Sequence, residues 1–156
     1  MHWLELKLPP PLLALLLALL MWLAPMWVAP MWVAPLPWAW RIALAAALLG
    51  LGLAIGLVAV AACWRARTTI HPSHPMRTTA LVTSGVFRFS RNPMYLCQLL
   101  CLLAWAAYLS NPLALALAPL FVLYLNRFQI APEERALAAL FGAHYSAYKN
   151  AVRRWL

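Results

Sequence analysis

Acidic residues are nearly missing from this chain: it has 156 residues with three Asp and Glu against twelve Lys and Arg, and only 10% of it is charged. An ordinary soluble domain has about a quarter of its residues charged, so that class is excluded. Cysteine is scarce as well. Cys63, Cys97 and Cys101 fall in or at the ends of apolar segments and share no metal-ligand spacing, so they read as small buried apolar residues. No Gly-x-Gly-x-x-Gly fingerprint is present, which rules out a dinucleotide crevice of the soluble type. No basic stripe interleaved with aromatics occurs either, so a nucleic acid partner is not expected despite the net charge of +9. His71 and His74, in a Pro-rich stretch with no third ligand nearby, fall short of the three or four protein ligands a metal needs. No metal is expected.

What is abundant is apolar: 66% of the chain is hydrophobic. In hydrocarbon every backbone N–H and C=O must be satisfied internally, which leaves helices or a closed barrel. The Leu/Ala runs have no two-residue alternation, so the barrel is set aside. The expectation is an all-α integral membrane protein with about four transmembrane helices and a C-terminal amphipathic helix on the cytoplasmic side. The N-terminal apolar run continues through Trp and Pro with no small-residue cleavage site, so a cleaved signal peptide is not expected.

Residues 1–64 read as two spans, the first from Leu12 to Pro35 and the second from Ile42 to Trp64. Residues 21–35 of the first are three near-identical pentapeptides ending in Pro25, Pro30 and Pro35. Each interior proline deletes a helical hydrogen bond, so this part should be kinked or partly unwound. Trp22, Trp27 and Trp32 recur at five-residue steps, about 140° apart on a helix, and cannot form one binding stripe. They read as interfacial aromatics. In the second span Gly52 and Gly56 have the GxxxG spacing that admits a close helix neighbour.

Residues 65–156 begin with a polar loop to about Asn92. A helical hairpin over 94–128 follows, turned at Ser110, Asn111 and Pro112. The last helix is expected over 132–153, with Pro132, Glu133 and Glu134 at its start and Lys149 near its end. Leu137, Leu140, Phe141, His144, Tyr145, Tyr148 and Val152 recur at three- and four-residue steps as one apolar-aromatic face. All the basic residues except Arg41 fall in one set of alternate loops, which places both termini in the cytoplasm. No span has an ionisable residue in its central turns, which argues against a transporter.

Two polar clusters flank the hairpin: Thr83 to Tyr95 before it, and Glu133 and Glu134 with Phe141, Gly142, Tyr145 and Tyr148 after it. A hairpin that goes out and comes back brings both to one membrane face. The composite site so formed has a Gly-containing turn, Arg91 and Asn92 at a helix entrance, carboxylates and several aromatics.

The stretch LVTSGVFRFSRNPMYL, with PEERALAALFGAHYSAYKNAVRRW some forty residues on, resembles the C-terminal half of isoprenylcysteine carboxyl methyltransferases and their short bacterial relatives. Those carry G-(aromatic)-x-x-x-R-H-P-x-Y before a helical hairpin and E-E-x-x-L-x-x-x-F-G-x-x-Y-x-x-Y after it. The resemblance covers residues 65–156 as a methyltransferase-like core. It implies an S-adenosylmethionine-dependent methyltransferase of the bacterial inner membrane, acting on a hydrophobic small molecule, a lipid or a lipidated substrate among the membrane lipids. By the same resemblance Thr79, Ala80, Leu81, Val82, Phe87, Asn92, Pro93, Met94, Tyr95 and Glu133 match cofactor-binding positions. Arg127 is the nearest candidate for the family's substrate-binding arginine, two residues out of register. Asn92 replaces the family's usual histidine; it can keep hydrogen bonds but cannot act as a general base, and no catalytic residue is assigned. An NADPH-dependent membrane reductase of related architecture and a small non-enzymatic membrane transporter or structural protein are the alternatives.

Overall fold

The computed structural model describes residues 5–27, 36–68 and 78–156. Among them every regular element is helical: α1 (Pro10–Trp27), α2 (Trp38–Arg65), α3 (Pro93–Leu109), α4 (Pro112–Tyr124) and α5 (Ala131–Ala151). A 3-10 turn at Gly85–Arg88 and a π-helical turn at Leu125–Ile130 complete the set. Pro30, Trp32 and Pro35 of the pentapeptide repeat lie outside the described residues, as do His71 and His74.

Among the described residues two helical stretches are long and apolar enough to cross a membrane, not four: α2, and the run Pro112–Ala151 that α4 begins and that is kinked at Gly142. In the second, the apolar part is α4 itself, since charge returns at Arg127 and gathers at Glu133, Glu134 and Arg135. The other apolar stretches, Pro10–Leu23 and Pro93–Leu109, are shorter. α3 is held to 17 residues by Pro93 at its first turn and by Ser110, whose left-handed backbone (φ 50°) ends it. At ~1.5 Å per residue such a helix is about 25 Å long, less than a ~30 Å hydrocarbon layer. Asn111 then caps α4, its Oδ1 accepting from the Leu113 N–H at 2.8 Å, so the three-residue turn forms as its chemistry dictates.

α2 and α3 run antiparallel in the most extensive helix contact of the fold. The small residues explain the close approach: a Cβ on Gly52 would stand 3.0 Å from Leu100 Cβ and 3.2 Å from the Cys97 carbonyl, and one on Gly56 2.7 Å from Cys97 Sγ. At Gly50 nothing lies within 4 Å. Gly52→Val is therefore expected to cost about 1–3 kcal/mol through overpacking. Gly50→Ala should be neutral or slightly stabilising, because alanine is the better helix former. Thermal unfolding of both variants in one detergent checks the contrast. At the far end of the pair, Arg41 lies beside the rings of Trp38 and Tyr108, 5.5 and 5.8 Å from their centroids, and donates through Nε to the Tyr108 carbonyl at 2.8 Å.

The buried core joins α1, α3 and α4. Leu13, Leu17 and Met21 meet Leu102 and Ala106 of α3, and Ala114, Ala118 and Phe121 of α4. The alanines recur at four-residue steps, which lets the hairpin close tightly.

The joint between α4 and α5 differs from expectation. Pro132 lacks an N–H and should strand the carbonyl four residues back, at Phe128, so a break between residues 128 and 132 was the natural reading. The chain instead continues as one helix through the π turn, a wider coil with i→i+5 bonding. The Phe128 carbonyl is satisfied from outside the helix by the Leu6 N–H at 3.1 Å. The continuous apolar-aromatic face expected of the last helix is also corrected. Gly142 has φ 52° and ψ −122°, a kink that resets the helical phase. Tyr145 is consequently buried, whereas Leu140 and His144 are exposed. The helix ends at Ala151, and Val152 is extended.

Candidate functional site

The hairpin returns the first turn of α5 to the start of α3. Tyr95, on the first turn of α3, donates its hydroxyl to Glu133 Oε1 at 2.5 Å, and Gln129 Nε2 of the π turn donates to the same oxygen at 2.6 Å. The π turn brings Gln129 and Glu133, four residues apart, into this arrangement. The loop before α3 is fastened at both ends. Thr68 Oγ1 accepts from the backbone N–H groups of Thr79 and Ala80, each at 3.2 Å. Tyr148 of α5 donates its hydroxyl to the Phe87 carbonyl at 2.7 Å.

These elements enclose a cavity of about 400 Å³, within the usual range for small-molecule sites. Of the residues singled out from the sequence, Ala80, Leu81, Val82, Phe87, Asn92, Pro93, Met94, Tyr95 and Glu133 line it. Two do not. Thr79 is absent from the wall because its hydroxyl is turned to the Arg67 carbonyl, 2.9 Å away. Arg127 is likewise absent, its guanidinium held by Glu5 Oε1 at 3.3 Å. Glu5 also takes Arg135 at 2.5 Å, so the N-terminal segment engages the cation that the sequence nominated for substrate.

Asn92 borders the cavity, yet its side-chain amide donates to the Arg154 carbonyl at 2.9 Å. The asparagine thus ties the segment after α5 to the entrance of α3, a structural use that imidazole chemistry does not require.

The electrostatics are unequal on the two sides of the site. Glu134 is buried and fully compensated: Arg154 grips both its oxygens at 3.0 and 2.7 Å, Arg91 Nη2 stands 3.2 Å from Oε1, and Lys149 lies 3.7 Å from Oε2. Among the described residues Glu133 has no cation as a hydrogen-bond partner; its partners there are Tyr95 and Gln129. Burial raises its carboxyl to about 7, against the lowering effect of those two hydrogen bonds. Burial also lifts the Tyr145 phenol above its ordinary value and pushes Tyr148 up to about 12. Both phenols therefore remain protonated donors near neutral pH, and Glu133 changes charge there.

Three buried side-chain polar atoms among the described residues lack any partner: Arg91 Nε, Arg91 Nη1 and Gln98 Oε1. Both residues line this cavity. Orphaned buried donors and acceptors are rare and call for a partner, and here they belong to two residues of one cavity wall. Gln98 was legible in principle, being an amide in the middle of an apolar span, where polar residues mark function. Pro11 of α1 and Val60 and Cys63 of α2 also form wall; nothing in the sequence announces them, since only the packing of α1 and α2 brings them there.

A family model described as phospholipid methyltransferase matches residues 40–144, which spans α2 to the kink of α5. A Haemophilus influenzae protein carrying the name uncharacterized protein is 52% identical over 63 residues, 40% of this chain and 100% of that protein. No solved structure matches.

Proposed function

The chain belongs to the phospholipid methyltransferase family, and from that premise we propose that it transfers a methyl group from S-adenosylmethionine to a lipophilic acceptor resident in the membrane. The observation that carries this reading is that one cavity wall holds both a carboxylate hydrogen-bonded to neutral groups and a guanidinium with two N–H groups that make no hydrogen bond. Among the described residues, Glu133 offers a carboxylate with no cation as a hydrogen-bond partner, and Arg91 offers two N–H groups with no acceptor. An α-amino acid end has the complementary ammonium and carboxylate, and charge-assisted hydrogen bonds of this kind are about twice as strong as neutral ones. Phe87, Tyr95, Tyr145 and Tyr148 supply aromatic wall for a purine or a face for a sulfonium. S-adenosylmethionine, when bound, supplies a methyl group on a sulfonium centre, whose carbon–sulfur bond breaks with the electron pair left on sulfur as the acceptor's lone pair bonds to carbon.

The chain's own part is binding, alignment and exclusion of water, which suffice for transfer to an ionised or otherwise good nucleophile. Residues 65–156 hold the donor, while Pro11, Val60 and Cys63 close the site with apolar surface contributed by residues 1–64. The acceptor is a lipid or another hydrophobic molecule arriving from that side. In this reading α1 to α4 cross the inner membrane of a bacterium, with the short α1, α3 and α4 met by local thinning or flanking residues. Both termini and the charged start of α5 face the cytoplasm, where the cofactor is found.

The test is equilibrium binding of tritiated S-adenosylmethionine to purified chain, followed by incubation with lipid extract and mass spectrometry of labelled products. Saturable binding displaced by S-adenosylhomocysteine and not by NADPH, with label in a lipid fraction, is the expected result. Absence of saturable binding, or displacement by NADPH alone, removes the methyltransferase reading in favour of the reductase or a non-enzymatic role.

A further inference from the structure

Glu134 poses a problem for any ligand that needs Arg91. A lone carboxylate beside a guanidinium takes two of its N–H groups in a parallel fork, which would use up donors that the cavity presents. In this fold Arg91 Nη2 stands 3.2 Å from Glu134 Oε1, while Nε and Nη1 make no hydrogen bond among the described residues. The reason lies in the segment after α5. Arg154 forks onto Glu134 with Nε on Oε1 at 3.0 Å and Nη2 on Oε2 at 2.7 Å. That segment is itself strapped down: the Arg91 N–H donates to the Arg153 carbonyl at 3.0 Å, and Asn92 Nδ2 to the Arg154 carbonyl at 2.9 Å. Trp155 Nε1 donates to Asn126 Oδ1 at 3.0 Å. The strap fixes the Arg154 fork from one side and the Arg91 backbone from the other.

We infer that Arg154 is a positioning residue: by occupying both oxygens of Glu134 it holds the Arg91 guanidinium available to the carboxylate of the methyl donor's amino acid end. This rests on the methyl-donor reading above. Without Arg154, Glu134 is free to accept the second Arg91 donor, and ligand and Glu134 compete for one cation. The effect is confined to ligands that have the carboxylate.

The experiment compares two probes on the full chain in lipid nanodiscs by calorimetry: S-adenosylhomocysteine, which has the amino acid end, and 5′-methylthioadenosine, which lacks it. In Arg154→Gln the first is expected to weaken about tenfold, the scale of one charged hydrogen bond, while the second is unchanged. Arg154→Lys keeps the charge but cannot fork onto two oxygens, and is expected to remain several-fold weak for the first probe alone. Equal weakening of both probes would mean a merely structural strap, and full recovery in Arg154→Lys would mean long-range charge; an unchanged first probe leaves no role. Each of these overturns the inference. A wild-type chain that binds neither probe instead removes the donor reading itself.

Discussion

Glu133→Gln is expected to lower the affinity for S-adenosylhomocysteine about a hundredfold and, at the same time, to make the chain more stable at pH 8. Both effects have one cause. Burial holds the Glu133 carboxyl at about 7 in the folded chain, against an ordinary value of 4.5. An acid whose value is raised on folding favours the unfolded state once the pH passes its unfolded value. The penalty therefore grows from about pH 4.5 to about pH 7 and is constant above. Glutamine keeps an acceptor for the Tyr95 hydroxyl and removes the penalty, so the melting temperatures of variant and wild type should differ at pH 8 and converge near pH 5. Binding runs the other way, because an ammonium group needs the ionised carboxylate. Wild-type affinity should be flat above pH 7 and fall by about tenfold per unit below it. In the glutamine variant this dependence disappears, and the loss of a buried charged partner sets the hundredfold deficit. Calorimetry and thermal unfolding over pH 5–8 check both halves.

The second large effect is expected for Arg91→Met. Arg91 is a residue of the cavity wall with two N–H groups that make no hydrogen bond, and charged hydrogen bonds contribute about 1.5–3 kcal/mol each. Losing both should weaken S-adenosylhomocysteine by at least about a hundredfold, with 5′-methylthioadenosine little affected. The fold should survive, because Arg154 and Lys149 still neutralise Glu134 and methionine retains apolar volume in the wall. Equal loss for the two ligands, measured in the same titration series, speaks against a carboxylate subsite at Arg91.

Local chemistry made part of this legible in the sequence. Ser110, Asn111 and Pro112 spell a tight helical turn whatever surrounds them, and the spacing of Gly52 and Gly56 announces a close helix neighbour. From the turn alone it follows that the Asn92–Tyr95 segment and Glu133 reach the same face. What escaped depends on partners distant in the chain. Pro132 looks like a break until Leu6 is found donating to the stranded Phe128 carbonyl. Arg127 looks free for substrate until Glu5 is found beside it. Gly142 fits a helix as well as a kink, and in the fold it is a kink, past which Tyr145 is buried. The contrast between Glu133 and Glu134 was invisible for the same reason: adjacent identical residues differ because one meets Arg154 and the other Tyr95 and Gln129.

The most direct test of the account is a cryo-electron microscopy or crystal structure of the full chain with S-adenosylhomocysteine. The prediction is a ligand in the space between α3 and α5, its ammonium on Glu133 and its carboxylate on the Arg91 Nε and Nη1 groups. A ligand bound elsewhere, or one in that space with Glu133 and Arg91 both disengaged, would contradict it.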